Sequence, residues 1–354
     1  GGAVGITAAL ALADRGFRFL LVVSGGRAPR PEAQALSEAD NLRPDNHHVP
    51  HITVARRLGG ASNLWGGRCL PFDPIDFSVR PWLGLPAWPI GPEALAPWLD
   101  PACAAMDAGA PVFAEPLAGV TADPAFGFES LERWSNTPRI QVFRRAALEG
   151  SSGLLVALGA TALGFVYDAA GRITAIDLHL EGIGREELGL PLVVLAAGGN
   201  ESTRLLLAEE RRTPGRFGGP EGPLGRFYMG HVNGQIADIT FRSRALHDGL
   251  NFHVDANGSY VRRRLVPSEA TQAEAGLANV AFWPVVPAIA NPGHRSGPLS
   301  AVFLALSIGP LARRLIAEPI RLKHVGEPPY ARWAHLRNLL LDAPRTMGFA
   351  PWFL

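Results

Sequence analysis

Apolar residues recur along this chain at two spacings, and the spacings lay out its elements. Near the start Ile6, Ala9, Leu10 and Leu12 fall at helical intervals, and the β-like run from Phe17 to Val23 ends at Ser24-Gly25-Gly26. Together they predict a helix feeding a strand. Leu154 to Leu163 and Ile173 to Leu180 read as two strands joined into a hairpin through Asp168-Ala169-Ala170-Gly171. Leu192 to Ala208 (LVVLAAGGNESTRLLLA) reads as a buried strand, a small-residue turn and a leucine-faced helix capped by Asn200 or Ser202. Gln235 to Phe241 and Tyr260 to Leu265 are candidates for an antiparallel sheet. Pro81, Pro86, Pro89, Pro92, Pro97 and Pro101 predict extended connections and short helices between them. Toward the end Tyr330, Trp333, Leu336, Leu340 and Leu341 return to helical spacing.

Length and charge narrow the classes. The 354 residues, 47% hydrophobic and 18% charged, allow about two domains with a sizeable packed core. Basic residues number 33 against 32 acidic ones, a net charge of +1, which leaves no surplus to hold a polyanion and excludes nucleic acid as a general partner. Lys323 is the one lysine; the arginine bias is given no functional weight. Cys69 and Cys103 make at most one disulfide and lack the CxxC spacing of a zinc site. The longest near-apolar stretches, Gly153 to Tyr167 and Leu299 to Ala312, fall short of the roughly 20 residues that span a bilayer, so no transmembrane helix is predicted.

Two glycine-rich segments carry the candidate chemistry. GGAVG at residues 1–5 opens the first helix. Small residues there let the backbone approach a pyrophosphate at a helix N-terminus, as in the GxGxxG turn of dinucleotide-binding folds. Gly2 and Gly5 fit the second and third glycines and Gly1 the variable position, so the first glycine and the first strand are expected upstream. The strand that follows such a helix ends in an acidic residue that binds the adenosine ribose; this chain has Val23 there, before Ser24. The second segment, RLGGASNLWGGRCLPFDP from Arg57, packs two glycine pairs around Ser62, Asn63 and Trp65. Such backbone lies against something flat or charged, or else forms a plain surface loop.

With AAGGNESTRLLL at 196–207 and GRFYMGHV at 225–232, these segments resemble the glucose-methanol-choline oxidoreductase family of FAD-dependent enzymes, in its bacterial branch acting on sugars and related alcohols. The resemblance covers residues 1 to about 232. It implies an α/β fold, α+β overall: a Rossmann-type FAD layer from residues 1–75 and 145–232, and an antiparallel-sheet substrate domain from 76–144 and 233–354. Gly1, Gly2 and Gly5 would line the FAD pyrophosphate. Val23 takes the ribose position, with Ser24 and Gly25 beside it. Ala162 would touch the adenine edge through its backbone, and Ala196, Ala197 and Gly198 would pass under the ADP half. Gly59, Gly60, Ser62, Asn63, Trp65, Gly66 and Gly67 would pack along the isoalloxazine. Leu64 stands where some relatives carry a histidine bonded to the flavin, which implies noncovalent FAD. In the family, hydride passes from an alcohol carbon to flavin N5 while a histidine, paired with His or Asn, accepts the proton. That pair is expected beyond Leu354, so these residues alone are expected not to turn over. The alcohol and the electron acceptor stay open.

Other candidates keep two readings each. His47, His48 and His51 cluster, but Pro50 breaks any helical face and no acidic or cysteine ligand is spaced with them, so no metal is predicted. His231 is either a structural histidine or a proton-transfer group. Glu201 and Arg204 form a helix-capping ion pair or brace the FAD domain. Residues 311–345 carry seven basic and three acidic residues, an excess of +4, around the last apolar stripe. An amphipathic helix there docks on an anionic membrane or a partner subunit, or is a cap packed on its own domain, the plainer reading. An enzyme using both FAD and NAD(P)H needs a second complete GxGxxG, and none occurs. A catalytically incomplete FAD-binding fragment or degenerate flavoprotein is the remaining alternative, motivated by Val23.

Overall fold

The computed structural model describes residues 1–120, 123–190, 192–237, 239–285 and 288–349. The fold mixes helices with parallel and antiparallel sheets. It divides into two compact units, Gly1–Asn63 with Thr137–Ala237, and Leu64–Asn136 with Asp238–Leu354. The chain therefore changes unit inside the second glycine-rich segment, between Asn63 and Leu64, and returns at Thr137; the sequence motifs place these changes at 75 and 145.

In the first unit the helix Ala3–Ala13 buries Gly5, Ile6, Ala9 and Leu10, one helical side. The strand Phe19–Val23 follows and pairs in parallel with Leu154–Leu158. The apolar run 154–163 is two strands rather than one. Gly159, at φ +66°, interrupts it and donates its N–H to Gly25 O at 3.1 Å. Beyond it Ala160–Tyr167 changes partner and pairs antiparallel with Ile173–Leu180. Asp168 to Gly171 closes that hairpin, Gly171 N donating to Asp168 O. A third strand, Gly184–Gly189, extends the sheet with a polar sequence that carries no β pattern.

Phe165, Ile176 and Leu178 of this sheet form a core with Leu205 of the helix Gly199–Arg212. Val193 and Leu195 pack on that core while Leu192 and Val194 face out. The alternation is that of a strand, but residues 192–197 pair with no strand among the described residues, so the predicted strand is an unpaired extended segment. Neither Asn200 nor Ser202 caps the helix. Gly198, at φ +83°, is its N-cap residue, and Ser202 N donates to Gly198 O.

The second unit holds an antiparallel sheet in the order Arg68–Cys69, Leu131–Trp134, Tyr260–Arg263, His253–Val254. Buried ion pairs tie it together: Glu132, fully buried, accepts from Arg68 at 2.5 Å and Arg262 at 2.7 Å, and Arg264 reaches Asp73 at 2.8 Å. Residues 235–237 and 239–241 form no strand, and Ile236 and Ile239 are exposed; Asp238 lies outside the described residues. The apolar stretch 299–312 breaks into Gly297–Leu306 and Gly309–Leu315, bent by 101°. No single helix among the described residues is long and apolar enough to cross a membrane.

The last apolar stripe folds as the helix Arg332–Leu341, with its sides reversed from those of a cap. His335 and Asn338 are buried, while Trp333 is 85% and Leu340 80% exposed. Specific partners hold the polar side inward. The His335 ring stacks on Phe303 with centroids 3.9 Å apart and lies 3.1 Å from Ser300 Oγ through Nδ1. Asn338 Nδ2 donates to Pro292 O at 2.8 Å and Ser300 Oγ at 3.2 Å. Buried polar groups persist when bonded in this way.

Candidate functional site

Close backbone contacts gather several of the candidate residues at the carboxyl end of the Phe19–Val23 strand. Gly59 N donates to Gly1 O at 2.8 Å, and Gly2 and Gly59 form a parallel bridge. A Cβ on Gly60 would lie 2.7 Å from Gly2 Cα, one on Gly25 1.8 Å from Arg56 O, and one on Gly1 2.6 Å from a methyl of Val23. No side chain fits at these positions, and Gly59 (φ +95°) and Gly60 (φ +51°) hold backbone that only glycine adopts freely. Gly5 completes the packing: its Cβ position is 3.5 Å from Ala196 Cβ and 3.7 Å from Leu21. Gly1, Gly2, Val23, Gly59 and Gly60 are thus linked through direct contacts, while Gly5 packs on Ala196 and Leu21 and Gly25 on Arg56.

The helix Ala3–Ala13 starts within this cluster. Its N-cap residue, Gly2, supplies no side-chain acceptor, so no side chain caps the helix and the positive end of its dipole lies within the cluster. Backbone donors without side chains in the way suit an anion.

Ser62 and Asn63 shape the loop. Both are buried; Ser62 Oγ donates to Gly59 O at 2.6 Å, and Asn63 Nδ2 donates to Leu58 O at 3.1 Å and Gly60 O at 2.9 Å. Gln141 Nε2 donates to Asn63 Oδ1 at 2.7 Å. Their donors serve the loop's own backbone, and their acceptors tie it to the segment 140–141, Ile140 N donating to Ser62 Oγ at 3.3 Å.

Beside Gly25, Arg56 joins Ser24 to Glu201. Its Nη1 donates to Ser24 Oγ at 3.0 Å, its Nε to Ser37 Oγ at 2.6 Å, and its Nη2 to a carboxylate oxygen of Glu201. Arg204 reaches the same oxygen at 2.9 Å. The Glu201–Arg204 pair is thus present, but Arg56 is the partner that the sequence did not mark.

The remaining candidates lie elsewhere. Leu64, Trp65, Gly66 and Gly67 belong to the second unit, where Gly67 O accepts from Ser135 N at 2.8 Å. Ala162 sits in the hairpin opposite Leu178, next to a bulge. Ala197, Gly198 and His231 are exposed in the first unit. His47 meets Tyr228 edge-on with centroids 5.3 Å apart, and no group of three or more metal-ligating side chains gathers among the described residues. Cys69 and Cys103 are free thiols. Burial, with Cys103 adding to it, pushes the Cys69 thiol up to about 11.

No family model matches the chain, and no curated protein sequence matches it. Among solved structures, pyridoxine 4-oxidase from Mesorbium loti is similar at a TM-score of 0.37 and 16% identity, over 58% of this chain and 50% of that one. The chain spans half the length of that neighbour.

Proposed function

We propose that this chain is the cofactor-binding framework of an FAD-dependent oxidoreductase that takes hydride from the CH–OH group of a sugar-like or other alcohol. The observation that carries the reading is the glycine cluster at an uncapped helix N-terminus. A pyrophosphate is an anion that needs backbone donors at close range, and Gly1, Gly59 and Gly60, where a side chain would strike neighbouring protein atoms, let two backbone segments meet beside the start of the helix Ala3–Ala13. Gly1, Gly2 and Gly5 would hold the pyrophosphate, with Ser24 and Gly25 at the adenosine ribose. Bound FAD supplies the hydride acceptor. Leu64 carries no nucleophile, so FAD is held without a covalent bond.

Titration of the purified chain with FAD, followed by flavin fluorescence and by retention through desalting, tests the reading. The unaltered chain should retain FAD and Gly60→Val should lose it; acid precipitation should release all chromophore into the supernatant. Absence of FAD binding overturns the proposal, and flavin left on the denatured chain overturns its noncovalent part. Anaerobic bleaching of the bound flavin by an alcohol tests the substrate class.

A further inference from the structure

Resting on that reading, we infer that Glu201, held in place by Arg56, is the ribose-binding carboxylate that the Phe19–Val23 strand lacks. In dinucleotide-binding folds an acidic residue at the end of this strand accepts hydrogen bonds from the ribose hydroxyls. Val23 offers no acceptor; it is buried, and its methyls fill the space over Gly1.

The residue after it sits in a different chemical setting. Ser24 Oγ accepts from Arg56 Nη1, and Nη2 of the same guanidinium holds Glu201. Further bonds from Arg56 to Ser37 Oγ and, at 3.3 Å, to Leu36 O fix that guanidinium, whose side chain is 9% exposed. Its planar fork therefore sets Ser24 and Glu201 side by side on adjacent nitrogens. Arg56 and Arg204 both bond Oε2 of Glu201, and Oε1 receives no hydrogen bond among the described residues. Ser24, having accepted from Arg56, keeps its own hydrogen to donate. A carboxylate oxygen beside a hydroxyl donor is the complement of a vicinal diol, the group that an adenosine ribose presents.

Calorimetry on the full chain with FAD, ADP, 2′,3′-dideoxy-ADP and riboflavin tests this. The unaltered chain should bind ADP about tenfold more tightly than its dideoxy analogue, the effect of one charge-assisted hydrogen bond. Glu201→Gln should weaken FAD and ADP by a similar factor and leave dideoxy-ADP and riboflavin unchanged. A brace with no ligand contact would weaken all four alike, and that result overturns the inference. If Glu201→Gln does not fold, the two nucleotides on the unaltered chain decide: equal affinity overturns the inference while the flavoprotein reading stands. Binding of neither FAD nor ADP overturns both.

Discussion

At Gly25 the backbone leaves no room for a methyl group. A Cβ there would lie 1.8 Å from Arg56 O and 2.6 Å from Arg56 C, main-chain atoms that cannot rotate away. Gly25→Ala should therefore cost about 1–3 kcal/mol, the usual penalty of overpacking, read as a lower urea midpoint. An unchanged midpoint would mean that the two segments separate freely. Cys69 supports a second expectation. With its thiol pushed up to about 11, chiefly by burial, almost none is thiolate at neutral pH. Iodoacetamide should label it far more slowly in the folded chain than in urea; equal rates would contradict its half-buried setting. At this level the sequence exposed the glycines, because a residue without a side chain is conspicuous in a motif. Arg56 left no such mark, since its partners Ser24 and Glu201 lie 32 and 145 residues away and only the fold brings them together.

Between elements, polar contacts determine which faces meet. Glu209, buried on the helix Gly199–Arg212, accepts from Phe165 N at 3.3 Å and Arg212 Nη1 at 2.7 Å, joining helix to sheet beside the bulge at Ala162/Gly164. Glu209→Leu would leave the Phe165 N–H buried without that acceptor, a loss of about 1–3 kcal/mol measurable by chemical denaturation. The helix Arg332–Leu341 responds to pH instead. Burial holds the His335 pKa below its ordinary 6.5, with His294 acting in the same direction and the contact with Ala290 O opposing. The fold thus favours neutral His335, whose contribution is complete above the unfolded value near 6.5 and is lost as pH falls through the lower folded value. His335→Phe should flatten the dependence of the thermal midpoint between about pH 7 and 5. A variant as acid-sensitive as the parent would assign that loss to another group. The helix Ala3–Ala13 and the strand Phe19–Val23 were readable because each is an almost continuous apolar run, the helix opening at glycines and the two separated by the polar Asp14-Arg15-Gly16 break. Gly184–Gly189 was not, because an edge strand with polar side chains shows no apolar alternation. The segment 192–197 shows the reverse: the pattern is present, and among the described residues the ladder is not.

Taken as a whole, the chain carries almost no net charge and a large apolar surface. The order of the motifs predicts two discontinuous units with changes at 75 and 145, whereas the two compact units of the fold change at Asn63, inside a loop whose sequence reads as one motif. The last helices of the second unit show why apolar spacing alone misassigns a face. Trp333, Leu336 and Leu340 lie three and four residues apart on one side, with Leu341 next to them, and all four are exposed. Met347, 68% exposed on the following helix, adds to the apolar surface. Soluble monomers seldom display large contiguous apolar patches, and a net charge of +1 supplies little repulsion between copies. The chain should consequently associate with rising concentration near neutral pH. Trp333→Glu together with Leu340→Glu should shift sedimentation velocity profiles toward monomer. The thermal midpoint should stay where it was, because neither side chain contributes to the core around Phe303. Association that persists unchanged in the double variant would place the contact elsewhere, and a lowered midpoint would show that this face is packed inward after all.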